Sequence, residues 1–231
     1  MILAVNTSSV QFSVALMRDS GALNGEYSIS SGPTGSRPLF PALKDLLART
    51  DADLRKIAAV AVATGPGSFT GLRVGLAMAK GLCQALDVPL IGVPTLRAMA
   101  VQVSWTAYPV CSVIGARKGE VFAALFDVVE GRGPVEIKED TCLQLTDLSR
   151  FVEERAVFVG DDFESQAGTI IRVLGDRALL APGFFWNPKA SAVGALALQR
   201  FHEGRWDDME SLVPTYLRPP DIRPEPFRPS S

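Results

Sequence analysis

The stretch Thr64-Gly65-Pro66-Gly67-Ser68-Phe69-Thr70-Gly71 sets a glycine-rich turn between an apolar run and a long helical pattern. Backbone N–H groups at such a helix N-terminus can cradle a phosphate. The turn lacks the Gly-Lys-Ser/Thr ending of a P-loop, and Pro66 withdraws one N–H that a cradle would use. Its G-x-G-x-x-x-G spacing also misses the dinucleotide pattern, and no acid ends the next strand to hold a ribose hydroxyl. A second reading fits the same letters: glycines for a tight turn and close helix packing, with Ser68 or Thr70 as N-cap. Spacing alone does not choose between the two.

Other catalytic constellations are sparse. His202 is the single histidine, and it sits at a helix end beside Glu203, Gly204 and Arg205, where a solvated histidine is the expected role. Cys83, Cys111 and Cys142 are far apart and form no C-x-x-C pair, which predicts small reduced core residues rather than a disulfide framework or a zinc cluster. There is no G-x-S-x-G elbow for a serine hydrolase. The charged turn Gly115-Ala116-Arg117-Lys118-Gly119-Glu120 reads either as a plain hairpin or as the counterpart of the first glycine turn.

The elements that position these residues follow from periodicity. Apolar runs at Ile2 to Asn6 and Phe12 to Met17, joined by the polar turn Thr7 to Gln11, predict a hairpin, with a third strand at Leu23 to Ile29. A loop marked by Gly32, Pro33, Gly35 and Pro38 precedes an amphipathic helix through Leu39, Leu43, Leu46 and Leu47 to Arg49. A strand at Ala58 to Ala63, a helix from Thr70 to Leu86, a strand at Leu90 to Val93 and a helix around Leu96 to Val103 complete the first unit. On the long helix Arg73, Lys80 and Gln84 form one narrow polar stripe, with Gly71 and Gly75 opposite, so most of its circumference must be covered by core or by another subunit.

Strands at Val110 to Gly115, Val121 to Val128 and Ala156 to Gly160, with helical patterns between and after them, read as a second copy of one α/β module. The expected division is a first lobe over residues 1–104, a smaller lobe over 105–187, a helix at about 188–204 packing back on the first lobe, and a proline-rich extension over 205–231. With 47% hydrophobic and 21% charged residues the chain is of ordinary globular type. No apolar run reaches the ~18 residues of a membrane span, and MILAVNTSS has no basic signal region, so a cytoplasmic protein is expected. A net charge of -2 argues against autonomous tight binding to RNA.

Five segments in order, ILAVNTSS, GPGSFTGLRVGLAMAKGL, IGVPTL, ARKGEVF and PTYLR, resemble the bacterial TsaB family over nearly the whole chain. That resemblance implies a two-lobed actin/hexokinase-like fold, a duplicated ribonuclease H-like unit with mixed sheets. It also implies a role in forming threonylcarbamoyladenosine next to the anticodon of certain tRNAs, as a degenerate paralogue of the catalytic TsaD-type subunit. In that relative two histidines one helical turn apart hold a metal, and nothing in this sequence could replace them.

The implied partners are the catalytic paralogue, a TsaE-type ATPase and, through the complex, tRNA, with a homodimer of the isolated chain as a further candidate. The expected partner face is Leu39, Leu43, Leu47, Gly71, Val74, Gly75, Met78 and Leu82. The expected loop or nucleotide contacts are Asn6, Thr7, Ser8, Gly65, Gly67, Ser68 and Arg117. Neither catalytic residues nor a metal site are expected, and ATP or ADP with Mg belongs to the assembled complex. The family usually has Asp at Asn6, Arg or Gly at Thr64, Asp at Gly115 and a histidine near Gly35, and the neutral Asn6 and Gly115 weaken any claim to autonomous ATP hydrolysis. The competing reading is a sugar-kinase-like phosphotransferase using Thr7, Ser8 and the glycine turn; a metallopeptidase is a third.

Overall fold

Ile2–Asn6 (β1) is buried at every position, as expected of a strand covered on both faces of a sheet. It pairs antiparallel with Gln11–Met17 (β2), in the register Ala4 opposite Ala15, and parallel with Ala59–Gly65 (β4). Leu23–Ser30 (β3) and Leu90–Pro94 (β5) form the edges, giving the order β3-β2-β1-β4-β5. The computed structural model describes residues 1–30, 38–117, 119–129 and 133–218. The loop residues Gly32, Pro33 and Gly35 and the end of the proline-rich tail lie outside them.

The second sheet repeats the first. Val110–Gly115 (β6), Glu120–Val129 (β7) and Gly133–Gln144 (β8) are antiparallel neighbours, and Ala156–Val159 (β9) runs parallel to β6 with Ala178–Leu180 (β10) outside it. The order β10-β9-β6-β7-β8 is that of the first sheet, strand for strand, read from the opposite edge. This duplicated ribonuclease H-like unit is the actin/hexokinase-like architecture.

Helices Leu39–Thr50 (α1) and Phe69–Leu86 (α2) cover one face of the first sheet, burying Leu43, Leu46, Ala79 and Leu82 against Leu3, Val5, Val14 and Val62. The other face, with Ile2, Ala4, Ala61 and Ile91, is closed by Ala190–His202 (α6) through Val193, Ala197 and Leu198. Thr95–Val101 (α3), within the 1–104 segment, places Leu96, Met99 and Ala100 in the core of the second lobe. Each sheet is therefore covered in part by a helix from the far end of the other half.

One sequence expectation fails here. The helical pattern read between Val128 and Ala156 is instead the long strand β8 followed by a single turn of helix, Leu148–Phe151 (α4). β8 is an edge strand whose Val135 and Ile137 face solvent among Glu136, Lys138 and Glu139, so it shows no clean apolar-in, polar-out alternation. The three-residue β10 also went unread, being too short to carry a period.

Asp140 of β8 sits beside Glu136 and Glu139, and burial, reinforced by those two charges, pushes its carboxyl up to about 6 from an ordinary 3.8. Between those values the folded chain holds the proton more tightly than the unfolded chain. This contribution is therefore fully stabilising below the unfolded value and is lost as pH rises through about 6. Asp140→Asn should raise stability by about 1 kcal/mol near pH ~8 and by almost nothing near pH ~4. Melting curves at the two pH values check this, and an equal gain at both would contradict it.

Candidate functional site

The first glycine turn is filled by its own chain. Asn6, at the end of β1, is fully buried; its amide donates to the Pro188 carbonyl at 2.7 Å, and its Oδ1 accepts from the Ser8 hydroxyl at 2.7 Å and the Ser8 N–H at 3.2 Å. The Thr7 hydroxyl donates to the Gly71 carbonyl at 2.7 Å, and the Ser8 carbonyl accepts from the Ser68 N–H at 2.7 Å. A Cβ on Gly67 would collide with the Ser8 carbonyl, and one on Gly75 with the Thr7 hydroxyl. Gly67 and Gly75 thus permit close approach of the lobe's own β1–β2 turn. Ser68 caps α2 by accepting from the Gly71 N–H at 3.2 Å, and Gly65, at φ +119°, donates its N–H to Thr95 Oγ1.

Across the cleft, Gly115 at the end of β6 donates its N–H to Asp161 Oδ1 at 2.9 Å, and the Gln166 amide donates to the same oxygen at 2.7 Å. Burial pushes the Asp161 carboxyl up, opposed by these two hydrogen bonds. Asp162 beside it caps Phe163–Leu174 (α5) through the Ser165 N–H. Asp161 therefore joins the two loop ends of the second lobe, as the Ser8–Ser68 contact does in the first.

A segment after α6 straps the two lobes together. Asp207 bridges to Leu90, the Lys80 ammonium donates to the Glu210 carbonyl at 3.4 Å, and the Thr215 N–H donates to the Thr64 carbonyl at 2.8 Å. Tyr216 stacks on Phe69 with centroids 5.0 Å apart and accepts from Arg73 Nε at 3.0 Å, while the Arg73 guanidinium lies 3.8 Å over the Phe69 ring. Arg218 pairs with Glu120 of the second lobe. Gly67, Ser68, Phe69, Ala116, Arg117 and Tyr216 are among the residues around the resulting cavity of about 270 Å³. The polar stripe of α2 is thus partly covered by this strap.

Most of the partner face expected from sequence is buried in the isolated chain. Leu39, Leu43, Gly71, Gly75, Met78 and Leu82 are buried within the first lobe, Leu47 is half-buried, and of the eight only Val74 is exposed. An apolar pattern over more than half a helix circumference marks what must be covered, but not which part the helix's own sheet covers. The outward apolar row of α2 is Val74, Ala77, Gly81 and Ala85. Val74, Ala77 and Gly81, together with Phe40 and Pro41 of α1, border a groove of about 490 Å³ that has Leu39 and Met78 among its lining.

A family model described as tRNA N6-adenosine threonylcarbamoyltransferase (TsaD) matches residues 35–151. The chain is 33% identical over 233 residues to the tRNA threonylcarbamoyladenosine biosynthesis protein TsaB of Escherichia coli, spanning 94% of each. It is 29% identical over 220 residues to the protein of that name from Bacillus subtilis, spanning 94% of this chain and 93% of that one. The chain belongs to the TsaB family. YeaZ from Pseudomonas aeruginosa shares its fold with a TM-score of 0.76 at 24% identity, over 93% of this chain and 99% of that one.

In this TsaB-family chain, parts of three of the segments that carried the resemblance, Pro66 to Phe69, Ala116 with Arg117, and Thr215 to Arg218, meet around one cleft. Sequence reasoning missed Asp161, whose one signal is a pair of acids after an apolar run when a single N-cap needs only Asp162. It also missed the Phe69–Arg73–Tyr216 cluster, which joins positions too far apart in sequence for periodicity to connect. His202 is exposed, 2.8 Å from Asp19. Among the described residues no group of three or more His, Cys, Asp or Glu is arranged to hold a metal ion, and no described helix is long and apolar enough to cross a membrane. Nucleotide with magnesium, which the fold family implies, does not fit these loops: Asn6 is neutral and engaged, and Gly115 offers no side chain.

Proposed function

We propose that this chain acts in forming threonylcarbamoyladenosine on tRNA as an accessory subunit that binds the catalytic TsaD-type paralogue without performing the transfer itself. The observation that carries this reading is the outward apolar face of α1 and α2, where Phe40 is 64% and Val74 41% exposed beside the groove. Solvent-facing apolar side chains grouped around a groove mark an interaction surface. The first-lobe loop supports the absence of autonomous chemistry, since the Thr7 and Ser8 hydroxyls and the Ser68 N–H are engaged within the chain.

In this reading the TsaE-type ATPase, tRNA, and ATP or ADP with Mg join through the assembled complex, and the same apolar face would pair two copies when the chain is alone. The sugar-kinase-like alternative gains nothing from the cleft, because the Thr7 and Ser8 hydroxyls are already donating internally. Depleting the protein from its cell should lower threonylcarbamoyladenosine in bulk tRNA severalfold or more while other modified nucleosides hold steady. Nucleoside mass spectrometry reads this directly, and unchanged levels after full depletion would refute the assignment.

A further inference from the structure

Arg97, Arg200 and Arg205, with Gln199, line a cavity of about 360 Å³ at the β5 edge of the first lobe. Nothing in the cleft or the apolar face uses them. Arg97 lies exposed in the first turn of α3 and has no hydrogen bond or ion pair among the described residues. Arg200, on α6, is held in place: it donates to the Gly92 carbonyl at 2.8 Å and to Asp207 Oδ1 at 3.1 Å. The remaining charge on Asp207 is met by the Gly92 N–H at 2.7 Å. Arg205 pairs with Glu203 and is otherwise exposed.

The cavity therefore has one fixed guanidinium, one tethered at a single carboxylate and one, Arg97, without a direct ion pair among the described residues. Arg97 also borders a neighbouring cavity with Glu136, Glu139 and Asp140. A guanidinium has five N–H donors in a planar fork that matches phosphate oxygens, and the bonds Arg200 makes leave part of its fork unused. A doubly charged anion is favoured over a single carboxylate where several cations converge.

We propose that this pocket binds a phosphate group. It lies on the α6 face of the first sheet, opposite α1 and α2, and so stays open when the apolar groove is covered. The source of the phosphate is either the backbone of a polynucleotide or a free phosphoester, and the former rests on the accessory-subunit reading above.

The first arm of the test uses the full chain alone, and its outcome is independent of that reading. Inorganic phosphate is titrated while the arginine Nε–Hε resonances are followed. Saturable shifts at Arg97 and Arg205 are expected, with affinity falling by about tenfold or more in the Arg97→Gln, Arg205→Gln double variant. Arg172→Gln, an exposed arginine on α5, serves as the control and should bind as wild type. Both replaced side chains are exposed, so the double variant should melt with the wild type.

The second arm measures tRNA binding by the reconstituted complex against salt. A weaker complex with a shallower salt dependence in the double variant identifies an RNA phosphate. Unchanged tRNA binding beside lost phosphate binding identifies a free phosphoester. Absence of saturable phosphate binding in the wild type, or equal binding in the double variant, overturns the proposal.

Discussion

A chain carrying Phe40→Asp and Val74→Asp together is expected to lose about a hundredfold or more in affinity for a TsaD-type partner while melting like the wild type. Both side chains face solvent in the isolated chain, so two carboxylates there cost the monomer little. In a covered apolar contact they would be desolvated without a counter-charge, at about 3 kcal/mol or more. Met78→Asp is the contrast: Met78 is 6% exposed and packs with Leu43 and Leu82, so this change should unfold the lobe. Melting and heterodimer formation must be measured on the same preparations. Wild-type affinity in the folded double variant would show that the groove is not the contact.

Gly67→Ala should destabilise the chain by about 3 kcal/mol, a fall in melting temperature of roughly 6 to 12 °C for a chain of this size. The residue has φ +155°, and an added Cβ would meet the Ser8 carbonyl and lie 2.9 Å from Ser8 Cβ. That carbonyl also accepts the Ser68 N–H next to the α2 cap, so the strain reaches the helix that carries the apolar groove. Gly168→Ala is the control, since nothing lies within 4 Å of its would-be Cβ on the exposed side of α5. It should be neutral or gain up to ~1 kcal/mol. Denaturant unfolding of both variants reads the difference, and equal stability would show that the loop can relax around a methyl group.

The first lobe was legible from its letters because its elements are long and uniform in period. β1 begins and ends where its apolar run does, and Asp87 ends α2 in a left-handed conformation just before Pro89. β8 was not legible, because an edge strand with charged neighbours on both faces loses the alternation that identifies strands. The candidate site was half legible. Ser68 and the glycines could be placed on one loop, but not that Ser8 fills it, since that contact spans from β1 to α2. The outward side of α2 could not be chosen from a helix whose small and apolar residues occupy most of its circumference.

The exchange of α3 and α6 sets the order in which the chain can finish folding as it leaves the ribosome. The second sheet meets α3 as soon as it forms, because that helix is made first. The first sheet has all five strands once β5 is made, yet Ile2, Ala4, Ala61 and Ile91 keep an apolar face that α3 meets only through Ala98 and Val101 until α6 follows the entire second lobe. The half synthesised first is thus the half completed last. Through that interval it offers chaperones a specific surface to hold, and a chain arrested before α6 leaves the same surface open to aggregation and proteolysis.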